Sequence, residues 1–185
     1  MTLKYDVFIR GNVVDLVALT EDIVLHSDWY KWFNDETITA NMQQHYFPNT
    51  SQSQLDYYRS EIAGNQKKLQ LGILYKEKEK IIGMISLSNI DSIHRKAELA
   101  IIIGDAQYQK LPIVLEANHL ILRHGFQELN LRKIYGGTII KDLADMYVRV
   151  LGFQHEGIRR QEVFKSGKYH DLYLIGVLRE EFYDK

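Results

Sequence analysis

Cysteine is absent from this 185-residue chain. Its absence excludes disulfides and thiolate chemistry and fits a reducing compartment. Proline occurs twice, at Pro48 and Pro112, and no Gly/Ser-rich linker or internal repeat divides the chain. One domain over residues 1–185 is therefore expected, long enough for a sizeable core. No apolar run approaches the roughly 18 residues of a membrane helix, and Met1-Thr2-Leu3-Lys4-Tyr5-Asp6 lacks the apolar centre of a secretory signal. Neither sign of charge dominates: 23 basic side chains face 24 acidic ones, for a net charge of −1. The densest basic run, Lys76 to Lys80, alternates with glutamates. Nothing here steers the chain toward nucleic acid or a membrane surface, and a cytoplasmic location is expected. The histidines form no metal pattern: His119 and His124 are five apart on a helix, and no His-Glu-x-x-His occurs.

What is present is a change of period along the chain. Val13 to Leu19 reads as a strand ending at Thr20-Glu21-Asp22, polar residues suited to capping a short helix. Ser27 is placed to cap Asp28 to Phe33, and Ser53-Gln54-Leu55-Asp56 resembles a capping box for a helix ending near Gly64. Leu69 to Lys76 and Ile81 to Leu87 are strands joined as a hairpin. Asn89 to Lys96 is a polar loop, and Glu98 to Ile103 is a strand stopped by Gly104-Asp105. Leu115 to Leu129 carries Leu115, Leu122, Phe126 and Leu129 on one helical face. Ile134 to Ile140 is a strand, Leu143 to Leu151 a helix stopped by Gly152, and Val163–Lys165 with Tyr169–Leu178 a closing hairpin. The expected fold is α/β in the α+β sense: a mixed, mainly antiparallel sheet flanked by helices.

The order from Ala97 to Phe153 (carboxylate-bearing strand, loop, long helix, strand, second helix, then Leu151-Gly152-Phe153) resembles the GNAT superfamily of N-acetyltransferases. Within it, the opening Gly11 to Leu19 is similar to the first strand of the branch holding ribosomal-protein N-terminal and amino-sugar acetyltransferases. Trp32-Phe33-Asn34-Asp35-Glu36, His45-Tyr46-Phe47-Pro48 and the ending His170-Asp171-Leu172-Tyr173 are similar to the same branch. Taken together these cover nearly the whole chain.

That resemblance implies acetyl-CoA as cosubstrate, no metal, and direct attack by a primary amine; no cysteine is available to carry an acyl group. The acceptor it implies is a small-molecule amine, such as a nucleotide-linked amino sugar, or a protein N-terminus. A homodimer is carried as an expectation, although no motif fixes the assembly. Glu98 stands where family members draw a catalytic base. Such a base is needed because an alkyl amine is almost wholly protonated at neutral pH. The alternative is a strand glutamate in a structural pair. Leu99, Ile101 and Ile103 belong to the strand whose edge pairs with the pantetheine arm in the family. Gln109, Leu111, Ile113, Val114 and Leu115 occupy the pyrophosphate loop, where helix-terminal amides attract phosphate. That loop holds no glycine, and Pro112 and Val114 stand at its small-residue positions. The family's tyrosine acid falls on Val148, with Tyr147 beside it as the candidate; a packing role for Tyr147 is the other reading. Trp32, His45, Tyr46 and Phe47 are candidate acceptor-binding residues or core. A noncatalytic binding or regulatory domain with an altered loop is the competing function.

Overall fold

The computed structural model describes residues 4–40, 42 and 46–183. In chain order the elements are β1 (Val7–Ile9), β2 (Val14–Ala18), α1 (Glu21–His26), α2 (Trp29–Trp32), α3 (Glu36–Thr39), α4 (Ser51–Tyr57), β3 (Leu69–Tyr75), β4 (Lys80–Asp91), β5 (Lys96–Ile103), α5 (Leu111–Gln127), β6 (Lys133–Thr138), α6 (Lys141–Leu151), β7 (Gln154–Lys165), β8 (Lys168–Leu178) and α7 (Arg179–Tyr183). A π-helical turn, Tyr58–Ile62, continues α4. The strands join in one sheet in the order β1-β2-β3-β4-β5-β6-β8-β7, antiparallel at every seam except β5–β6. The expected mixed, mainly antiparallel sheet flanked by helices is the one observed.

Strand alternation sorts the core into two layers. Leu16, Ile73 and Ile85 pack with Ile121 and Phe126 of α5 and Tyr147 of α6. Their neighbours Val17, Leu74 and Met84 turn to the other side and pack with Ile23, Trp29 and Leu55 of α1, α2 and α4. Strand β5 feeds both layers, with Ala97 and Ile103 in the first and Ile102 in the second. A long-range clamp ties the start of the chain to α5: the carboxylate of Glu116 accepts the backbone N–H groups of Asn12, Val13 and Val14.

Several boundaries differ from expectation. Helix α4 begins at Ser51, because Thr50 caps it by accepting the Ser53 N–H at 3.0 Å. The capping box placed at Ser53 is therefore three residues late. Asp28, and not Ser27, precedes α2; Ser27 closes α1 through its own backbone N–H. The loop assigned to Asn89–Lys96 shrinks to the turn at 92–95, since β4 runs on to Asp91. Leu129 lies beyond α5 and is exposed, so it is not part of the apolar face. Strand β7 is much longer than Val163–Lys165, its outer part carrying exposed side chains throughout. Gly152 does end α6, at φ +82°, where a side chain would be strained. Among the described residues no helix is long and apolar enough to cross a membrane, and no three potential metal ligands cluster.

Candidate active site

The seam between β5 and β6 opens after a short start. Lys96, Ala97 and Glu98 pair with Lys133, Ile134 and Tyr135 in parallel register, and the two strands then part. The opposite edge of β5 stays paired to β4 from Glu98 to Ile103. Gly104 donates its N–H to Ile82 of β4 at 2.9 Å. Backbone groups alternate in direction along a strand, so those of Leu99, Ile101 and Ile103 point to the open side. The Ile103 carbonyl accepts the Gln109 side-chain amide at 3.0 Å. Leu99 and Ile101 are left facing a cavity of about 590 Å³.

The cavity is lined by Glu98 and Leu99–Ile103 on one side and by Gly136, Gly137, Thr138, Leu143, Tyr147 and Phe153 on the other. Gln109 and Val114 border it at the start of α5, and Ile38 and Met42 also line it. Buried strand edges need hydrogen-bond partners. An extended chain carrying amides fits this slot by adding to the β5 edge. The residues therefore suit the pantetheine arm of acyl-CoA.

Helix α5 starts one turn earlier than the sequence suggests, with Pro112 in its first turn, where a missing N–H costs least. The Ile113 and Val114 N–H groups both donate to the Lys110 carbonyl, at 3.1 and 3.2 Å. Leu111 is left as the first-turn amide without an intrachain bond among the described residues. The helix dipole remains available to an anion there, but with fewer free donors than a glycine-rich turn supplies. Leu111 is exposed and Leu115 half-buried, and neither lines the cavity.

Glu98 shares a sheet face with the exposed Ala100 and with Ile102, which packs into the layer of α1, α2 and α4. Its Oε2 accepts the Asn89 amide at 2.9 Å. Tyr135 stands opposite it in register on β6. Burial, and then the Glu98 and Asp91 carboxylates, hold the Tyr135 phenol above its ordinary pKa. The Lys96 ammonium sits 5.9 Å from the centre of the Tyr135 ring, so this corner already accommodates a cation.

Tyr147 is buried on α6, donates its hydroxyl hydrogen to Asn118 Oδ1 at 3.3 Å, and meets Phe153 edge-on at 5.3 Å. Burial pushes its pKa up to about 12. Asn118 and Tyr135 were not singled out from the sequence. A lone amide inside the apolar stripe of α5 was the available signal for Asn118, because a buried polar side chain requires a partner.

The acceptor candidates scatter. Trp32 is 4% exposed and its ring lies against Gly104, where an added Cβ would fall 1.9 Å from it. It borders a separate cleft with Asp28, Lys31 and Asp35, whose shared lining residue with the main cavity, among the described residues, is Ile38. Tyr46 donates its hydroxyl to the Phe164 carbonyl at 2.8 Å on the β7–β8 hairpin, and Phe47 is 85% exposed. His45 lies outside the described residues.

Comparison with known proteins fits this geometry. The acetyltransferase (GNAT) domain family matches residues 16–148, more than half of the chain. YdaF of Bacillus subtilis (strain 168), whose name assigns it provisionally to ribosomal N-acetylation, is 27% identical over 138 residues, 70% of this chain and 74% of that protein. Spermidine N(1)-acetyltransferase of Escherichia coli (strain K12) is 31% identical over 101 residues, 54% of each chain, so the match spans about half of that relative. The crystal structure of spermidine N-acetyltransferase from Vibrio cholerae, in complex with CoA and spermine, superposes with a TM-score of 0.82 at 22% identity. That superposition covers 94% of this chain and 99% of the other, a likeness of fold.

Proposed function

This chain belongs to the acetyltransferase (GNAT) domain family and is an acyl-CoA-dependent N-acetyltransferase with acetyl-CoA as cosubstrate, and from that premise we propose that its acceptor is a polyamine-like alkyl amine. The observation that carries the reading is the makeup of the cavity wall. Ile38, Met42 and Ile102 offer apolar walls, and Glu98 is the single carboxylate among the described lining residues. Methylene segments suit the walls and an ammonium suits the carboxylate. Similarity to the spermidine acetyltransferases supports the same choice. The provisional ribosomal assignment of YdaF keeps a protein N-terminus as the second reading.

In this proposal Leu99 and Ile101 hold the pantetheine arm by their backbone groups, and Gln109 braces the strand end beside the phosphate-facing turn. Glu98 takes a proton from the acceptor ammonium, directly or through water. The neutral amine then attacks the thioester carbonyl, forming the C–N bond as the C–S bond breaks; sulfur leaves as thiolate, and the second proton lost by nitrogen as the amide forms passes to solvent or to that thiolate. A thiol pKa near 8.5 makes that departure tolerable without a dedicated acid. A cytoplasmic location goes with the reading, and a homodimer is the assembly to test by sedimentation.

The decisive experiment is a mass-spectrometric panel with acetyl-CoA and spermidine, spermine, a nucleotide-linked amino sugar and N-terminal peptides. Acetylated polyamine is the expected product. Transfer to peptide or sugar alone would replace the polyamine. Coenzyme A that fails to bind in calorimetry at millimolar concentration would favour a noncatalytic domain.

A further inference from the structure

One polar pair, formed by a cavity-lining side chain and one buried behind it, has no part in the scheme above. Asn118 is fully buried in the apolar stripe of α5, surrounded in sequence by Ala117, Leu120, Ile121 and Leu122 of the core. Both ends of its amide are used. Its Nδ2 donates to the Val114 carbonyl at 2.7 Å, one turn back on α5. Its Oδ1 accepts the hydroxyl of Tyr147 from α6. Val114 and Tyr147 both line the cavity. A short hydrogen-bonded chain therefore links the first turn of α5 to α6 behind the lining of the slot that suits the pantetheine arm, with Val114 and Tyr147 as its cavity-facing ends.

Packing alone does not call for this pair. Two apolar side chains of similar shape fill such a place with little or no loss of stability, whereas a half-satisfied polar pair is expensive. The direction of the bond is informative. Asn118 Oδ1 takes the phenol's only proton, so the Tyr147 oxygen is left as a hydrogen-bond acceptor. An acceptor does not serve a departing thiolate, which needs a donor. It does serve an amide N–H, of which the pantetheine arm has two.

Resting on the reading that this arm runs through the cavity, we infer that Asn118 is a positioning residue. It fixes the Tyr147 hydroxyl as an acceptor for a pantetheine amide N–H, and Tyr147 is not the proton donor to sulfur. The high pKa of the phenol agrees, because a thiolate whose conjugate acid titrates near 8.5 is too weak a base to take that proton.

A double-mutant cycle separates positioning from packing. Asn118→Leu, Tyr147→Phe and the double variant are compared with the parent for the Kd of coenzyme A by calorimetry, the thermal midpoint, and the pH dependence of kcat. Each single change is expected to lower the midpoint and to weaken coenzyme A by about 5–20-fold, the scale of one buried hydrogen bond. The double variant regains the midpoint, since no buried polar atom is left unpaired, but keeps the weak Kd. If the double variant regains both, the pair serves packing only and the inference fails. It fails equally if Tyr147→Phe leaves Kd unchanged while kcat drops and loses an alkaline limb, which is the signature of a proton donor. Ile101→Pro removes one edge amide and checks the cavity reading separately. If it weakens coenzyme A while the Asn118 series does not, the inference alone falls; if it has no effect on coenzyme A, both fall.

Discussion

Strand β5 has two edges, and they have opposite fates. Toward β4 it is paired from Glu98 to Ile103 in unbroken register. Toward β6 the pairing ends at Glu98. The closed seam satisfies its backbone groups inside the chain and so contributes to stability. The open seam leaves the same kinds of groups to be satisfied from outside. In the proposed reaction the cofactor takes the place of a neighbouring strand where sheet formation stops, and Glu98 and Tyr135 stand opposite each other at that point.

The largest expected effect tests the residue at that fork. Glu98→Gln keeps the shape and removes the proton acceptor, so kcat/KM at neutral pH should fall by roughly 10²–10⁴-fold, with coenzyme A affinity little changed. The deficit should shrink as pH rises toward the pKa of the acceptor amine. A stable, fully active glutamine variant would remove Glu98 from the chemistry.

Paired proline substitutions contrast the two edges directly. Ala100→Pro deletes a donor on the closed side and should cost about 3 kcal/mol or more of stability. Ile101→Pro deletes a donor on the open side. It should destabilise less but weaken coenzyme A by about 5–10-fold, near the value of one hydrogen bond. Equal losses of stability in the two variants would mean that the edges are not distinct.

The wall of the open seam has its own pH signature. Tyr147 in the folded chain titrates near 12, against about 10 when unfolded. Between those values the folded state holds the proton more tightly, so stability present below about pH 10 is lost as pH rises toward 12, by about 2–3 kcal/mol at most. Denaturant titrations of the parent and Tyr147→Phe should differ in slope within that window and run parallel below it. Parallel curves throughout would contradict the burial.

The smallest effect concerns the start of α5. Replacing Pro112 with glycine and Val114 with alanine adds a donor and removes bulk, so coenzyme A should bind a few-fold more tightly. The gain is limited by the entropy of ordering the glycine. Unchanged or weaker binding by calorimetry would mean that phosphate is held elsewhere, with Lys110 as the first residue to examine.

Most of the fold was legible because its strands are apolar and its turns are marked. β2 through β5, α5, α6 and the Ser166-Gly167 turn all followed from period and punctuation. Strand β7 was not, because Gln154 to Glu162 is exposed and charged and shows no apolar face to read. Helix α3 was missed because it is four residues long and is held by Asp35, whose carboxylate accepts the Thr37 and Ile38 N–H groups. Of the proposed site, Glu98 and the β5 edge follow from motif order, since they belong to one continuous segment. Asn118 with Tyr147, and Glu98 with Tyr135, are pairs made by helix packing and strand register, which no linear spacing displays. Trp32 is an acceptor candidate by its aromatic character, yet it belongs to the core layer under α1, α2 and α4 and its ring is seated against Gly104, more than seventy positions away.

The Glu116 clamp gives the molecule a sequence of events in time. Its three donors lie more than a hundred residues from the carboxylate, so they cannot meet until the intervening strands and α5 have assembled. A contact of that separation closes one of the longest loops in the chain, and a contact made after the folding barrier acts on the rate of escape from the native state and not on the rate of entry. Glu116→Gln tests whether the clamp is such a latch: faster unfolding at an unchanged refolding rate is the expected result, and slower refolding would place the clamp in the folding nucleus instead.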